Sequence, residues 1–95
     1  MRVLYVDDDR VNALLFSETC RLAGDIELES AGSGAEALEV VQAWSPDLLV
    51  IDLHLPDTDG YALLGALRGS LASPGLPAFL CTADSAASVE QPARE

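Results

Sequence analysis

The feature that most constrains the fold of this chain is an alternation between short, largely apolar runs and segments of helical period. The apolar runs have the length of strands and occur at 2–6, 26–30, 48–51 and 78–82. The segments between them place apolar residues three and four positions apart, which is typical of helices that bury one face. Strands that alternate with helices favour right-handed crossovers and one open parallel sheet. We therefore predict an α/β fold with helices on both faces of the sheet.

Polar and glycine residues mark where the predicted helices begin and end. Gly24 follows the first helical segment and is suited to end it, because glycine readily adopts the left-handed conformation of a helix C-terminus. Ser33 and Glu36 have the spacing of a capping box at the start of the second helix. Asp59 precedes the third helical segment, where an aspartate side chain can accept from free backbone N–H groups. We expect Asp9 either to face solvent or to help cap the first helix in the same way.

The charge of the chain limits which partners it can bind. Sixteen acidic and five basic residues give a formal charge of -11 at pH 7. This charge repels nucleic-acid phosphates and anionic lipids, whereas divalent metal ions and basic protein surfaces suit it. The 95 residues correspond to one small domain. No apolar run approaches the ~18 residues of a membrane helix and no secretory signal is evident, so we expect a cytoplasmic location.

Two of the apolar runs lead directly into carboxylates. Asp7, Asp8 and Asp9 follow the first run, and Asp52 follows the third. In open parallel sheets, ligands bind at the carboxyl ends of the strands. Acidic side chains that meet at this edge need a cation, and Mg²⁺ prefers oxygen ligands, among them one or two carboxylates. We expect Asp7, Asp8, Asp52 and the backbone carbonyl of His54 to provide the protein ligands.

Asp52 is also a candidate nucleophile toward a phosphoryl group. A bound cation would offset the repulsion between its carboxylate and an incoming phosphoryl group. Thr82 ends the fourth predicted strand at the same edge, and its hydroxyl could bind a phosphoryl oxygen. Ala83 would leave room beside it and present a backbone N–H.

These motifs resemble those of a known family, the receiver domains of two-component response regulators. The resemblance covers nearly the whole chain and includes an acidic pair after the first strand, an aspartate after the third, a Pro-x-x-Asp-Gly turn, and Thr-Ala after the fourth. In this chain these motifs are Asp7-Asp8, Asp52, Pro56 with Asp59 and Gly60, and Thr82-Ala83.

The resemblance implies a flavodoxin-like fold, a three-layer sandwich around a parallel sheet, and a role in signalling rather than a separate enzymatic activity. It implies that Asp52 accepts a phosphoryl group from the phosphohistidine of a histidine kinase or histidine phosphotransfer protein, with Mg²⁺ or Mn²⁺ bound at Asp7, Asp8, Asp52 and the His54 carbonyl. Thr82 and Ala83 would then bind the phosphoryl group. Phosphorylation would switch an output domain or partner.

The chain departs from this family near its C-terminus. Receivers have a fifth strand that ends in a phosphoryl-contacting lysine, and this chain contains no lysine. After Ala83 the sequence resembles the first turns of a helix, which Gln91-Pro92 interrupts. We therefore expect residues 1–95 to be a receiver domain that lacks its last strand and helix. The unpaired sheet edge would then favour self-association.

Two other interpretations fit part of the sequence. Asp7 and Asp9 match the Asp-x-Asp motif of haloacid-dehalogenase-type phosphatases, in which Asp7 would be the nucleophile. The segment 32–37 matches a dinucleotide-binding fingerprint with its alanine variant, and Asp52 lies at the expected distance beyond it. This fingerprint follows the second strand rather than the first, and it leaves the acidic run unexplained.

Overall fold

The structure is a computed structural model that describes residues 1–71, 75–81 and 89–92. These residues form one sheet with the strand order β2-β1-β3-β4-β5 and three helices. The strands are β1 (Arg2–Val6), β2 (Glu27–Ala31), β3 (Leu48–Asp52), β4 (Ala78–Cys81) and β5 (Val89–Pro92). The helices are α1 (Arg10–Ala23), α2 (Gly34–Ala43) and α3 (Gly60–Ser70).

The first four strands are parallel, and their order places β1 between β2 and β3. Val6 pairs with Ile51 in the register of β1 and β3, so the residues after β1 lie beside the end of β3. Asp52 in turn pairs with Cys81 of β4. The carboxyl ends of three neighbouring strands therefore meet at one edge of the sheet.

The sheet separates two layers of helices. On one face, β1, β3 and β4 pack their buried side chains against α2 and α3, and this core includes Leu4, Ile51, Val41, Leu67 and Leu80. On the other face, Tyr5 stacks on Phe16 of α1, with ring centroids 4.6 Å apart. This arrangement confirms the predicted α/β fold with helices on both faces, and the strand order β2-β1-β3-β4 is that of a flavodoxin-like fold.

The predicted helix boundaries follow the local signals. Asp9 accepts from the backbone N–H groups of Val11 and Asn12 at the start of α1. Ser33 accepts from Glu36 N at 3.1 Å, and Glu36 Oε1 accepts from the backbone N–H just before Ser33 at 2.7 Å. Such bonds satisfy N–H groups that the first turn of a helix leaves free.

Two further helix ends agree with the sequence as well. Asp59 accepts from Ala62 N at 2.7 Å at the start of α3. Gly24 ends α1 in the left-handed conformation, with φ 90°, and its N–H donates to the carbonyl of Cys20. None of the three helices among the described residues combines the length and the apolarity that crossing a membrane requires.

The prediction for the segment after residue 83 is wrong in one respect. Val89–Pro92 forms a strand rather than helical turns, and it pairs antiparallel with β4. The edge of β4 that we expected to be unpaired is therefore covered along Phe79 and Cys81. A pairing with a neighbouring strand outweighs the local preference of a short segment. The expectation of self-association remains a prediction.

Candidate functional site

Asp7, Asp8 and Asp52 come together at the carboxyl ends of β1 and β3. One carboxylate oxygen from each residue lies within 4.8 Å of the others. Asp7 and Asp52 are buried, with 7% and 5% of their surface exposed, while Asp8 is exposed. Buried carboxylates are rare unless they are paired, hydrogen-bonded or bound to a metal ion. The structure thus assembles the acidic cluster that the sequence predicts.

The carboxylate of Asp7 accepts three hydrogen bonds from nearby groups. The hydroxyl of Tyr5 donates to Oδ2 at 2.8 Å, and the side-chain amide of Asn12 donates to the same oxygen at 3.3 Å. The backbone N–H of Asp9 donates to Oδ1 at 2.9 Å. These bonds offset part of the cost of burying a charged group. Burial, followed by the bond to Asp7, raises the pKa of Tyr5 well above its usual value.

Asp52 is less well compensated. Its Oδ1 accepts one hydrogen bond from the backbone N–H of His54, at 3.3 Å. Burial raises the pKa of Asp52, and the negative charges of Asp7 and Asp8 raise it further, although the bond from His54 acts in the opposite direction. A raised pKa means that the site disfavours another negative charge. The cluster is therefore suited to bind a cation.

The loop between β3 and α3 is held by hydrogen bonds at two points. Near its middle, Asp57 accepts from the backbone N–H groups of Gly34 and Ala35 at 2.9 and 3.0 Å, which joins the loop to the start of α2. These two bonds lower the pKa of Asp57. At its far end, Gly60 N donates to the carbonyl of Leu53 at 3.0 Å. The backbone that follows Asp52 is thus held from two directions.

A cleft opens beside the acidic cluster. It has a volume of about 430 Å³ and lies between the start of α1 and the turn that leads into α2. Asp7, Asp8, Arg10, Leu14 and Glu36 are among its lining residues. Because the cleft is open to solvent, an ion can reach the two carboxylates that follow β1.

The remaining predicted site residues have different outcomes. The backbone N–H of His54 donates to Asp52, and the role of the His54 carbonyl as a metal ligand stays a prediction. Thr82 and Ala83 lie outside the described residues, so their contacts with a phosphoryl group also stay predictions. Pro56 lies in the loop after β3 as the Pro-x-x-Asp-Gly motif requires, and Gly60 begins α3.

Sequence reasoning missed three residues that support the site. Tyr5 is two positions before Asp7 on the same strand, so a period of two could have placed both side chains on one face. Asn12 is in the first turn of α1, and its bond to Asp7 has no sequence signature. Asp57 binds the start of α2, which is distant in sequence, and no local pattern marks this contact.

The two other interpretations conflict with the geometry. A dinucleotide site would need free N–H groups at the start of α2. Those of Gly32, Gly34, Ala35 and Glu36 instead donate to side-chain oxygens of this chain. The phosphatase interpretation requires Asp9 in the site, and Asp9 instead caps α1.

The chain is thus an α/β domain with an acidic cluster at the carboxyl edge of its parallel sheet, as the resemblance to receiver domains implies. The sequence profile described as "Response regulator receiver domain" matches residues 3–95. The chain therefore belongs to the response regulator receiver domain family of two-component systems. This finding confirms the family that the sequence motifs predict.

Individual relatives agree with this assignment. The probable transcriptional regulatory protein TcrX of Mycobacterium tuberculosis is 39% identical over 84 residues, which cover 88% of this chain and 35% of the relative. The chemotaxis protein CheY4 of Vibrio cholerae has a TM-score of 0.82 and 29% identity, with 90% of this chain and 70% of that chain covered. A response regulator from Chloroflexus aurantiacus has a TM-score of 0.77 and 36% identity over 84% of this chain and 65% of that chain. The chain spans about a third or less of the length of the curated relatives that it matches. It covers 35% of TcrX, 18% of a protein-glutamate methylesterase of Vibrio cholerae and 22% of one of Myxococcus xanthus.

Proposed function

We propose that this chain is the phosphoacceptor domain of a phosphorelay. Asp52 accepts a phosphoryl group from the phosphohistidine of a histidine kinase or a histidine phosphotransfer protein. The observation that carries this proposal is the meeting of Asp7, Asp8 and Asp52 within 4.8 Å, in a chain of the receiver family. The domain acts as a signalling switch, and its chemistry is limited to its own phosphorylation and dephosphorylation.

The acidic cluster fits Mg²⁺, or Mn²⁺, as the ion that phosphorylation requires. Its donors are all carboxylate oxygens, which hard divalent cations prefer. Burial raises the pKa of Asp52, and the charges of Asp7 and Asp8, which a cation would offset, raise it further. Asp7, Asp8 and Asp52 would hold the ion together with the carbonyl of His54. A bound ion would neutralise the carboxylates and the incoming phosphoryl oxygens.

The transfer step uses Asp52 as the nucleophile. His54 N holds Oδ1, and a carboxylate oxygen of Asp52 forms a bond to phosphorus while the phosphorus–nitrogen bond to the donor histidine breaks. The electron pair of the broken bond stays on the imidazole nitrogen, and the ring leaves as neutral imidazole because its other nitrogen carries a proton. Water later attacks phosphorus, which releases inorganic phosphate and restores the carboxylate of Asp52.

Residues after β4 complete the proposed switch. The Thr82 hydroxyl and the Ala83 N–H would bind the phosphoryl oxygens, and the resulting shift would alter the surface that an output domain or partner recognises. The family's phosphoryl-contacting lysine has no counterpart in these 95 residues, because the sequence contains no lysine. The hypothesis that the last strand and helix of the family are missing from this segment remains a prediction.

Phosphorylation from a small-molecule donor tests the proposal. The chain is incubated with acetyl phosphate and Mg²⁺, and its intact mass is measured. We expect the mass of one added phosphoryl group, and we expect it to disappear in Asp52→Asn and when the metal is removed with a chelator. Asp25→Asn is the control, because Asp25 precedes β2 at the opposite end of the sheet.

Two results would contradict the proposal. Labelling that persists in Asp52→Asn but disappears in Asp7→Asn would identify Asp7 as the nucleophile and favour a phosphatase. Labelling of the wild type that does not depend on a divalent ion would rule out a catalytic role for the acidic cluster.

The substitution Thr82→Ala tests the role of Thr82 separately. A loss of phosphorylation in Thr82→Ala that leaves metal affinity unchanged would support the assignment of Thr82 to the phosphoryl group.

A further inference from the structure

Tyr5 provides the shortest of the three hydrogen bonds to Asp7. Its hydroxyl oxygen lies 2.8 Å from Asp7 Oδ2, and both residues are buried. The two side chains point to the same face because they are two positions apart near the end of β1. A tyrosine at this position therefore reaches the carboxylate that follows the strand, and phenylalanine or valine could not donate to it.

The ring of Tyr5 is held in place from the opposite side. It stacks on Phe16 of α1 with the ring planes 18° apart, and only 6% of the Tyr5 surface is exposed. Stacked aromatic pairs add stabilisation beyond their buried area. Since both the ring and the strand are fixed, the hydroxyl has a fixed position relative to Asp7.

The number of donors around Asp7 has a consequence for metal binding. An ionised carboxylate offers about four lone-pair positions to donors or cations. Tyr5, Asn12 and the backbone of Asp9 occupy three of them. The arrangement leaves room for one further ligand bond, which suits an ion bound through a single oxygen of Asp7. It also keeps Asp7 from rotating away from Asp52, whose negative charge repels it.

We infer that Tyr5, assisted by Asn12, is a positioning residue that fixes Asp7 as a metal ligand. This inference rests on the Mg²⁺ site of the proposed function. Partners that hydrogen-bond to metal ligands orient them, and their loss typically lowers metal affinity by about 10- to 100-fold. Tyr5 acts through Asp7 and touches neither the ion nor the phosphoryl group.

The substitution Tyr5→Phe tests this role because it removes one hydroxyl and keeps the ring that stacks on Phe16. Tyr61→Phe is the matched control, since Tyr61 is 63% exposed on α3. Mg²⁺ affinity is measured by calorimetric titration of the 95-residue chain. We expect the dissociation constant to rise about tenfold in Tyr5→Phe and to stay unchanged in Tyr61→Phe.

Thermal unfolding with and without Mg²⁺ separates positioning from a general structural role. A ligand stabilises the folded state in proportion to the logarithm of its concentration over its dissociation constant. A positioning role predicts that Tyr5→Phe reduces the rise in melting temperature that Mg²⁺ produces. A merely structural role would lower the melting temperature equally in both conditions, and that result would overturn the inference.

The possible outcomes distinguish this inference from the function it rests on. If the wild type does not bind Mg²⁺, the proposed metal site is wrong. If the wild type binds Mg²⁺ and folded Tyr5→Phe binds it equally well, only the positioning role is wrong. If Tyr5→Phe does not fold, Asn12→Ala decides, because Asn12 donates to the same oxygen from α1. A weaker affinity in Asn12→Ala supports the inference, and an unchanged affinity overturns it.

Discussion

Gly60 lies against the backbone at the end of β3, and its replacement by alanine should destabilise the protein. A Cβ atom at this position would lie 2.8 Å from the carbonyl oxygen of Asp52 and 3.0 Å from the Cα atom of Leu53. Both neighbours are backbone atoms, so neither can rotate away as a side chain could. Relief of the overlap requires a movement of α3 or of the end of β3.

The expected magnitude follows from this overlap. Extra atoms in a well-packed site typically cost about 1–3 kcal/mol. Gly65 offers a matched control in the same helix, because a Cβ atom there meets nothing within 4 Å. Alanine in a helix interior is more favourable than glycine by about 0.5–1 kcal/mol. The same substitution should therefore have opposite signs at the two positions.

Thermal or urea unfolding of the two variants measures the difference. For a domain of this size, 1 kcal/mol corresponds to a shift in melting temperature of about 4–8 °C. We expect a lower melting temperature for Gly60→Ala and a slightly higher one for Gly65→Ala. Gly60→Ala should also be phosphorylated more slowly, because the overlap displaces the backbone of Asp52. Equal stability of Gly60→Ala and wild type would show that the backbone around Asp52 accommodates the added Cβ atom without cost.

Two further predictions concern the acidic residues. Without metal at neutral pH, Asp52→Asn should be more stable than the wild type, because burial and the charges of Asp7 and Asp8 raise the pKa of Asp52 and disfavour its ionised form. This advantage should shrink as the pH falls through the raised pKa and the wild type becomes protonated. Asp57→Asn should be less stable at neutral pH, because two backbone bonds lower the pKa of Asp57. That deficit should shrink as the pH falls below about 4, where the carboxylate of Asp57 becomes protonated in the unfolded chain. It should disappear at the lower pH at which Asp57 is protonated in the folded protein as well.

Urea unfolding across a pH series measures both effects, with Asp25→Asn as the control for the loss of one acidic residue. An Asp52→Asn variant that is less stable than the wild type at neutral pH would show that the carboxylate is stabilised rather than repelled at this position. A deficit of Asp57→Asn that does not change with pH would show that the charge of Asp57 adds nothing to its bonds with α2.

Much of the fold could be predicted because its signals are local. The period of apolar residues identifies each helix, and the side chains of Asp9, Ser33 and Asp59 cap helices two or three residues away. Such bonds join residues that are two or three positions apart, so they form without tertiary contacts. The segment 89–92 was predicted incorrectly because its pairing with β4 is a contact between strands rather than a local preference.

Local patterns in the sequence are sufficient to specify β1 to β4, the three helices and the acidic residues at the strand ends, but not β5. Asp7, Asp8 and Asp52 follow strand-forming runs, and parallel strands present their carboxyl ends at one edge, so the acidic cluster could be predicted. Only the packing of the folded chain decides that Asp57 joins its loop to α2 and that Phe16 of α1 stacks on the Tyr5 ring, whose hydroxyl donates to Asp7. These contacts depend on how helices pack against the sheet, and packing combines residues that no local pattern connects.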